Sequence, residues 1–390
     1  MTKYAKSRVG WGLRRKTLRS PSLNAPRMRS NFWSLPQNPH MTDLTEQQVL
    51  KALQTVEDPD LHRDIVSLNF VQDLALDGGR VSFAIELTTP ACPVKDQMKA
   101  QAEEAVRRLP GVESVDINMT ARVTASQPLI GNTGVIPGVK NVIAVSSGKG
   151  GVGKSTVAVN LACALQDTGA RTGILDGDMH GPNVPIMLGL SGQSGSQNNK
   201  IQPMVTRGLQ VMSIALLIAE DQPVIWRGPR LHSAIKQFLF DVEWDDLDYL
   251  VVDLPPGTGD AQLSLSQQAH IMGAIIVTTP QAVSVLDVKK AIRMFHTVKV
   301  PILGLVENMS YFSPPGSDEK YEIFGKGGGA RIAEAFDVPM LQQLPIDPSV
   351  CEGGDAGKPV VWSHPDSTIA EAFRSLAGRV AAKISTANAV

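Results

Sequence analysis

The chain has 390 residues, with 37 Lys and Arg against 38 Asp and Glu and a net charge of −1, so its overall electrostatics argue for neither a nucleic-acid nor a membrane partner. Its length accommodates two or three domains, and no apolar run approaches the roughly 18 residues that a membrane crossing needs. Three cysteines, Cys92, Cys163 and Cys351, are too few for a disulfide framework and point to a reducing compartment.

The balance of charge conceals an asymmetry. Residues 1–40 hold nine Lys or Arg and no acid, which leaves −10 for the rest. Residues 1–41 read as a disordered or spurious basic extension, with translation starting at Met41, because their apolar residues follow no amphipathic period. An organelle transit segment is the alternative. The expected compartment is accordingly the cytoplasm, or an organelle stroma or matrix if the extension targets. A small α+β domain is expected over 42–122. Thr45 and Gln48 stand at capping-box spacing, and Leu50, Leu53 and Val56 make a helical stripe. Val81, Phe83, Ile85 and Leu87 alternate as in a half-buried strand. Thr88-Thr-Pro-Ala-Cys-Pro-Val-Lys-Asp96 turns into a helix near 94–109, which Pro110-Gly111 stops, and a strand follows near 112–121. Residues 123–140, with Pro128, Gly131, Gly134, Pro137 and Gly138, read as a linker.

From 141 to 386 the pattern alternates strand and helix. Apolar strands are expected at 142–147, 172–176, 209–214, 249–254, 274–279, 301–307 and near 341–346, and helices at 154–168 and 284–297 among others. Continuous apolar strands with helical crossovers indicate an α/β fold, a mostly parallel sheet flanked by helices. Residues 191–200 read as a flexible surface loop. The strand at 142–147 runs into Gly148-Lys-Gly-Gly-Val-Gly-Lys-Ser-Thr156, a GxxxxGK[ST] phosphate-binding loop between strand and helix. Gly148, Gly150, Gly151, Val152 and Gly153 supply a backbone whose N–H groups can face phosphate oxygens, and the helix beginning near Lys154 adds its positive end. Lys154 is expected to neutralise the β- and γ-phosphates of ATP, Ser155 to hold Mg²⁺, and Thr156 to lie near the α-phosphate. Lys149 is a second lysine that an ordinary loop of this kind does not need. It reaches either a partner's phosphates or only solvent.

Leu175-Asp-Gly-Asp178 and Leu250-Val-Val-Asp-Leu-Pro-Pro-Gly-Thr-Gly-Asp260 each end an apolar strand in acid. Asp178 can orient Mg²⁺ or the attacking water. Asp253 is the expected metal-side carboxylate, and the Pro-Pro-Gly-Thr-Gly segment can sense the γ-phosphate.

The loop with Lys149 resembles the deviant Walker A loop of the P-loop ATPase family that includes MinD, ParA and the nitrogenase iron protein. Asp176-Gly-Asp-Met-His-Gly-Pro-Asn183, Trp226-Arg-Gly-Pro229, Asp253-Leu-Pro-Pro-Gly-Thr-Gly-Asp260, Thr278-Thr-Pro-Gln281, Glu307-Asn-Met-Ser310 and Phe324-Gly-Lys-Gly-Gly-Gly329 are similar to its Mrp (ApbC) branch, ATPases regarded as iron–sulfur cluster carriers. Pro90-Ala-Cys-Pro-Val-Lys-Asp96 resembles the iron–sulfur-assembly-associated domain fused to many bacterial members. The resemblance implies an ATP-hydrolysing homodimer that passes clusters to apo iron–sulfur proteins. It implies Lys149 as an intermonomer lysine, Asp178 as the residue that positions water, Asp253 as an organiser of Mg²⁺ through water, and Asn308 as the reader of adenine. Many members carry a Cys-x-x-Cys between the Asn-Met-Ser and Phe-Gly strings, able to hold a 4Fe–4S cluster across the dimer. Here residues 311–323 contain no cysteine, so that site cannot form. Cys92, between prolines and near Lys95, and Cys351 are the remaining candidate ligands, and Cys163 reads as core. Cys92 read as a small buried hydrophobe is the alternative. His62, His180, His232, His270 and His296 show no metal-ligand spacing.

Two other classes compete. A MinD/ParA-like positioning ATPase would use Ile369, Phe373, Leu376, Val380 and Ile384 of a last helix near 367–385 on lipid, unless that face packs on the sheet. A scaffold would bind ATP without useful turnover.

Overall fold

The computed structural model of the protein describes residues 44–126, 134–179, 181–217, 228–314, 316–317 and 319–389. The basic extension, the middle of the expected linker, His180, the side chain of His232 and the start of the Trp226-Arg-Gly-Pro229 string lie outside them. From Leu44 onward the chain forms one compact unit.

Helix α1 (Glu46–Leu53) starts at the expected capping box. Gln48 N donates to Thr45 Oγ1 at 3.3 Å, and Thr45 N donates to Gln48 Oε1 at 2.9 Å. Strands β1 (Val71–Asp77), β2 (Arg80–Leu87) and β3 (Ser114–Ala121) form a sheet. β1 and β2 are antiparallel, while β2 and β3 are parallel and joined across α2 (Lys95–Arg107). Val81, Phe83, Ile85 and Leu87 are buried with Val49 and Leu53 of α1 and Met98, Ala102 and Val106 of α2. This face is the apolar surface that holds the small domain together. β1 escapes the alternation pattern because Asp73 takes φ 52° and the register shifts between Gln72 and Ala75, which resets the side-chain phase.

The large domain runs β4 (Val139–Ser147), α3 (Lys154–Asp167), β5 (Thr172–Asp176), β6 (Met204–Thr206), β7 (Leu209–Ser213), α4 (Gly228–Phe240), β8 (Leu247–Asp253), α5 (Asp260–Gln268), β9 (Gly273–Thr278), α6 (Ala282–Thr297), β10 (Ile302–Glu307), α7 (Gly328–Phe336), β11 (Met340–Gln343), α8 (Pro348–Asp355) and α9 (Thr368–Asn388). The strands order as β6-β7-β5-β8-β4-β9-β10-β11, all parallel except the edge strand β6. Strands later in the chain lie on both sides of β4, so the loop after β4 opens at a switch point of the sheet. Ile143 and Val145 of β4 face one core, and Val142 and Ala144 face the other, as a pleated strand covered on both faces requires. The segment 191–200 is not wholly irregular. Ser196 and Gln197 pair with Ile201 and Lys200, and the chain turns on the positive φ of Asn198 and Asn199.

In α3 every residue from Val157 through Leu165 is buried, because the sheet covers one side and α9 the other. Cys163 lies within this run, and burial pushes its thiol well above its ordinary range. In α9, Ile369, Phe373, Leu376, Val380 and Ile384 are all buried in the same core. That face is therefore spent on packing, and the lipid-facing alternative for this helix does not hold. Among the described residues no helix is long and apolar enough to cross a membrane.

The small domain is tied to the large one through polar contacts after β2 and after β3. Tyr249 Oη donates to Thr89 Oγ1 at 3.0 Å, Ser385 Oγ donates to Thr88 Oγ1 at 2.5 Å, and Asn388 Nδ2 donates to Thr124 O at 3.0 Å. The two described ends of the expected linker are also held down. Val123 and Ile136 are buried, Ser126 N donates to Lys140 O at 3.1 Å, and Gly134 N donates to Gln268 O at 2.8 Å.

Candidate functional site

The phosphate-binding loop leaves the carboxyl end of β4, where ligands of parallel sheets bind. Gly151 and Gly153 take φ of +77° and +80°, left-handed conformations that a side chain disfavours. A Cβ on Gly153 would also overlap the Asn308 amide, and one on Gly148 would overlap the backbone of α6 at Asp287. Ser147 Oγ donates to Lys149 O at 2.8 Å and Asn308 Nδ2 donates to Val152 O at 2.9 Å. The loop is thus braced from the end of its own strand, β4, and from the segment that follows β10. Asn308, expected at the adenine, is joined to the loop backbone by its amide.

Lys154 opens α3 and is 6% exposed, with its ammonium 2.6 Å from Asp253 Oδ1. Asp253 is fully buried, and its Oδ2 has no hydrogen-bond partner among the described residues. Burial raises this carboxyl, while Lys154 and the Ser155 hydroxyl favour its ionised form. An uncommitted carboxylate oxygen is the kind of donor that a hard divalent cation takes.

A cavity of about 830 Å³ lies over the loop. Lys149, Lys154, Ser155, Thr156, Asp178 and Asn308 line it together, joined by Ile323, Phe324 and Cys351. The structure therefore brings Cys351 to the mouth of this site, on exposed α8. Cys92 is elsewhere, half-buried beside the small core. Burial dominates there and raises its thiol, the Asp58 and Asp60 charges add to this, and Lys95 opposes them only weakly. Lys95 does favour the Cys92 thiolate, as its charge requires, but burial and the two aspartates outweigh it. Among the described residues no three His, Cys, Asp or Glu side chains come together as a metal site.

Two acids carry more than their motifs suggest. Asp176, whose neighbour Asp178 takes the sequence-level role, is buried with both oxygens engaged. Ser213 Oγ donates at 3.1 Å, Val184 N at 3.3 Å and Asp178 N at 3.2 Å. Burial first, and then the Asp253 charge, push its carboxyl from 3.8 up to about 7. Between those values the folded chain keeps a proton that the unfolded chain has released, so stability falls as pH rises through the window and levels above it. Denaturant midpoints of nucleotide-free protein are expected to drop from about pH 5 to about pH 7 and then flatten, with a shallower drop in Asp176→Asn. A drop of equal steepness in that variant contradicts the assignment.

Glu307 is the second. Its Oε2 accepts from Gly329 N at 2.5 Å, and its Oε1 accepts from Gln343 Nε2 at 2.9 Å and Ser310 Oγ at 3.0 Å. It caps the start of α7, so the Glu-Asn-Met-Ser and Phe-Gly-Lys-Gly-Gly-Gly strings meet in space. Of the other cavity walls, Phe324 opens the Phe-Gly-Lys-Gly-Gly-Gly string, whereas Ile323 and Pro345–Asp347 carry no motif. The rule that ligands sit beyond parallel-strand carboxyl ends would have found Pro345–Asp347, which follows β11.

Residues 138–381 match the family described as "ParA: NUBPL iron-transfer P-loop NTPase", and residues 46–118 match the family described as "Iron-sulfur cluster assembly protein". The chain is 49% identical over 350 residues to the iron-sulfur cluster carrier protein of Synechocystis, spanning 88% of this chain and 99% of that one. It is 45% identical over 339 residues to the chloroplastic Fe-S cluster assembly factor HCF101 of Arabidopsis thaliana, spanning 85% of this chain and 63% of that one. A nucleotide-binding protein from Archaeoglobus fulgidus, solved in complex with ADP, superposes with a TM-score of 0.54 at 38% identity, covering 61% of this chain and 93% of that one. With the braced loop, the paired Lys154 and Asp253 and a match over most of its length, the chain belongs to the NUBPL-type iron-transfer P-loop NTPases of the ParA family.

Proposed function

We propose that the protein is an ATP-hydrolysing iron–sulfur cluster carrier that acts as a homodimer and delivers a 4Fe–4S cluster to apo-proteins. The observation that carries this reading is the union, in one compact unit, of the phosphate-binding site with a small domain matching the iron–sulfur cluster assembly family. The relatives named as cluster carriers and assembly factors support it.

In this reading the loop N–H groups of residues 150–154 hold the phosphates, and Lys154 turns from Asp253 to the β- and γ-phosphates. Ser155 and the unpartnered Asp253 oxygen fit Mg²⁺, Asp253 acting through water. The ion neutralises charge on the phosphates. Asp178 orients the attacking water. Lys149 lines the same cavity without an ionic partner among the described residues, and in the dimer it reaches the partner's phosphates. Asn308 holds the adenine side of the cavity. Positioning and charge neutralisation suffice for this chemistry.

Cluster binding rests on Cys351 and Cys92. Cys351 is exposed on the nucleotide face, where two closing copies would bring two thiols together, and Cys92 lies in the small domain. Thiolates are the usual ligands of such clusters. The free thiols support a reducing compartment, cytoplasm or organelle stroma or matrix.

Anaerobic reconstitution with iron and sulfide tests the reading. Iron and sulfide should bind stoichiometrically, with a visible chromophore that passes to an apo-acceptor, and Cys351→Ser should lose at least about half of the bound iron. Folded protein that takes up neither iron nor sulfide refutes the carrier assignment.

A further inference from the structure

A second cavity, of about 570 Å³, shares no lining residue with the first and lies where the small domain meets the large one. Lys95, Arg122, Lys140 and Arg171 line it, and Asp248 is the one acidic residue among its walls. Lys140 Nζ lies 2.8 Å from Asp248 Oδ1 and Arg171 Nη2 3.5 Å from the same oxygen, while Arg171 Nη1 pairs outward with Asp246. Arg171 N also donates to Asp248 Oδ2 at 2.9 Å. The floor of the cavity is thereby neutralised. Lys95 and Arg122, on the small-domain side, have no ionic partner among the described residues.

With Lys140 and Arg171 balanced by Asp248 and Asp246, Lys95 and Arg122 leave a net positive field over the cavity. A cleft between low-dielectric walls focuses such a field and raises the local concentration of counter-ions. The groups come from separate segments: Lys95 begins α2, Arg122 follows β3, Lys140 lies in β4 and Arg171 precedes β5. Basic groups from four segments thus converge on one cavity where two domains meet, a place at which ligands are preferentially bound. Lysine and arginine donors together favour oxyanions, guanidinium adding forked geometry for carboxylate or phosphate.

We propose that this cavity binds a small multivalent oxyanion, a tricarboxylate or a phosphate, which bridges the two domains through Lys95 and Arg122 on one side and Lys140 and Arg171 on the other. The proposal is independent of cluster carriage, and its failure leaves that reading untouched.

The test is calorimetry on the full chain in magnesium-free buffer with saturating ADP, which fills the phosphate-binding loop. The two probes, titrated separately, are tricarballylate and inorganic phosphate. Heat saturating at one equivalent per chain is expected for at least one of them, and the stronger probe identifies the carboxylate or phosphate source. The Lys95→Gln/Arg122→Gln variant should lower that affinity at least about tenfold, while Lys236→Gln, which removes an exposed charge on α4, should not. Thermal melting of the double variant near the wild-type midpoint shows that it is folded. Non-saturating heat with both probes, or saturation unaltered in the folded double variant, overturns the proposal.

Discussion

Lys154→Ala is expected to abolish ATP binding, with no saturable heat in calorimetry against Mg-ATP. Lys154 is placed to make charge-assisted contacts to two phosphates, each of order 1.5–3 kcal/mol, which together correspond to a loss of at least about a hundredfold in affinity. The same substitution has a second effect that the geometry makes explicit. Asp253 is fully buried and Lys154 is its ionic partner at 2.6 Å. Truncating one member of a buried pair strands the other at a cost of about 3–5 kcal/mol, so the single variant should also melt well below wild type. Lys154→Ala/Asp253→Asn removes the stranded charge and should regain much of the stability while binding no ATP. ATP affinity retained by that folded double variant would eliminate the assigned site.

Lys149→Ala and Asp178→Ala are each expected to lower ATP turnover by about a thousandfold, the scale of a missing transition-state cation, while ATP affinity stays near wild type. The pair distinguishes action across the dimer from action within one chain. If Lys149 serves the partner's site, a mixed dimer of the two variants holds one site with both groups intact. An equimolar mixture then has about half of its dimers mixed and should recover about a quarter of wild-type turnover. If Lys149 serves its own site, every site in the mixture lacks one group and turnover stays at the level of the single variants. Steady-state phosphate release on mixtures preincubated to exchange subunits reads the difference.

Much of this architecture was legible before any coordinates. Strand 172–176 and the onset of α3 at Lys154 agree with the structure to the residue, because a both-sides-buried strand is a short apolar block and a phosphate-binding loop marks its own ends. The capping box of α1 was legible for the same local reason. β1 was not, since the irregularity at Asp73 disrupts alternation. Neither was β6, a three-residue edge strand turned on Arg207 and Gly208. The linker composition around Pro137 and Gly138 conceals Val123 and Ile136, each buried in one of the two cores that flank the large sheet. In the site, Lys154, Ser155 and Asp253 follow from motif and strand order. The raised carboxyl of Asp176 does not, because it depends first on burial and then on the Asp253 charge, and only folding supplies both. The surroundings of Cys92 are hidden for a similar reason: adjacent Lys95 is visible in the chain, whereas Asp58 and the small core are brought in only by folding.

The bond from the Glu307 carboxylate to the amide of Gly329 has an evolutionary corollary. Position 307 can change only if the start of the helix at Gly328 finds another acceptor, and a bulkier residue at 329 would strike the carboxylate and Met340. Two stretches that look like separate signatures in a linear text are therefore a single heritable unit. Among relatives they should be kept or lost together, whatever happens to the residues strung between them.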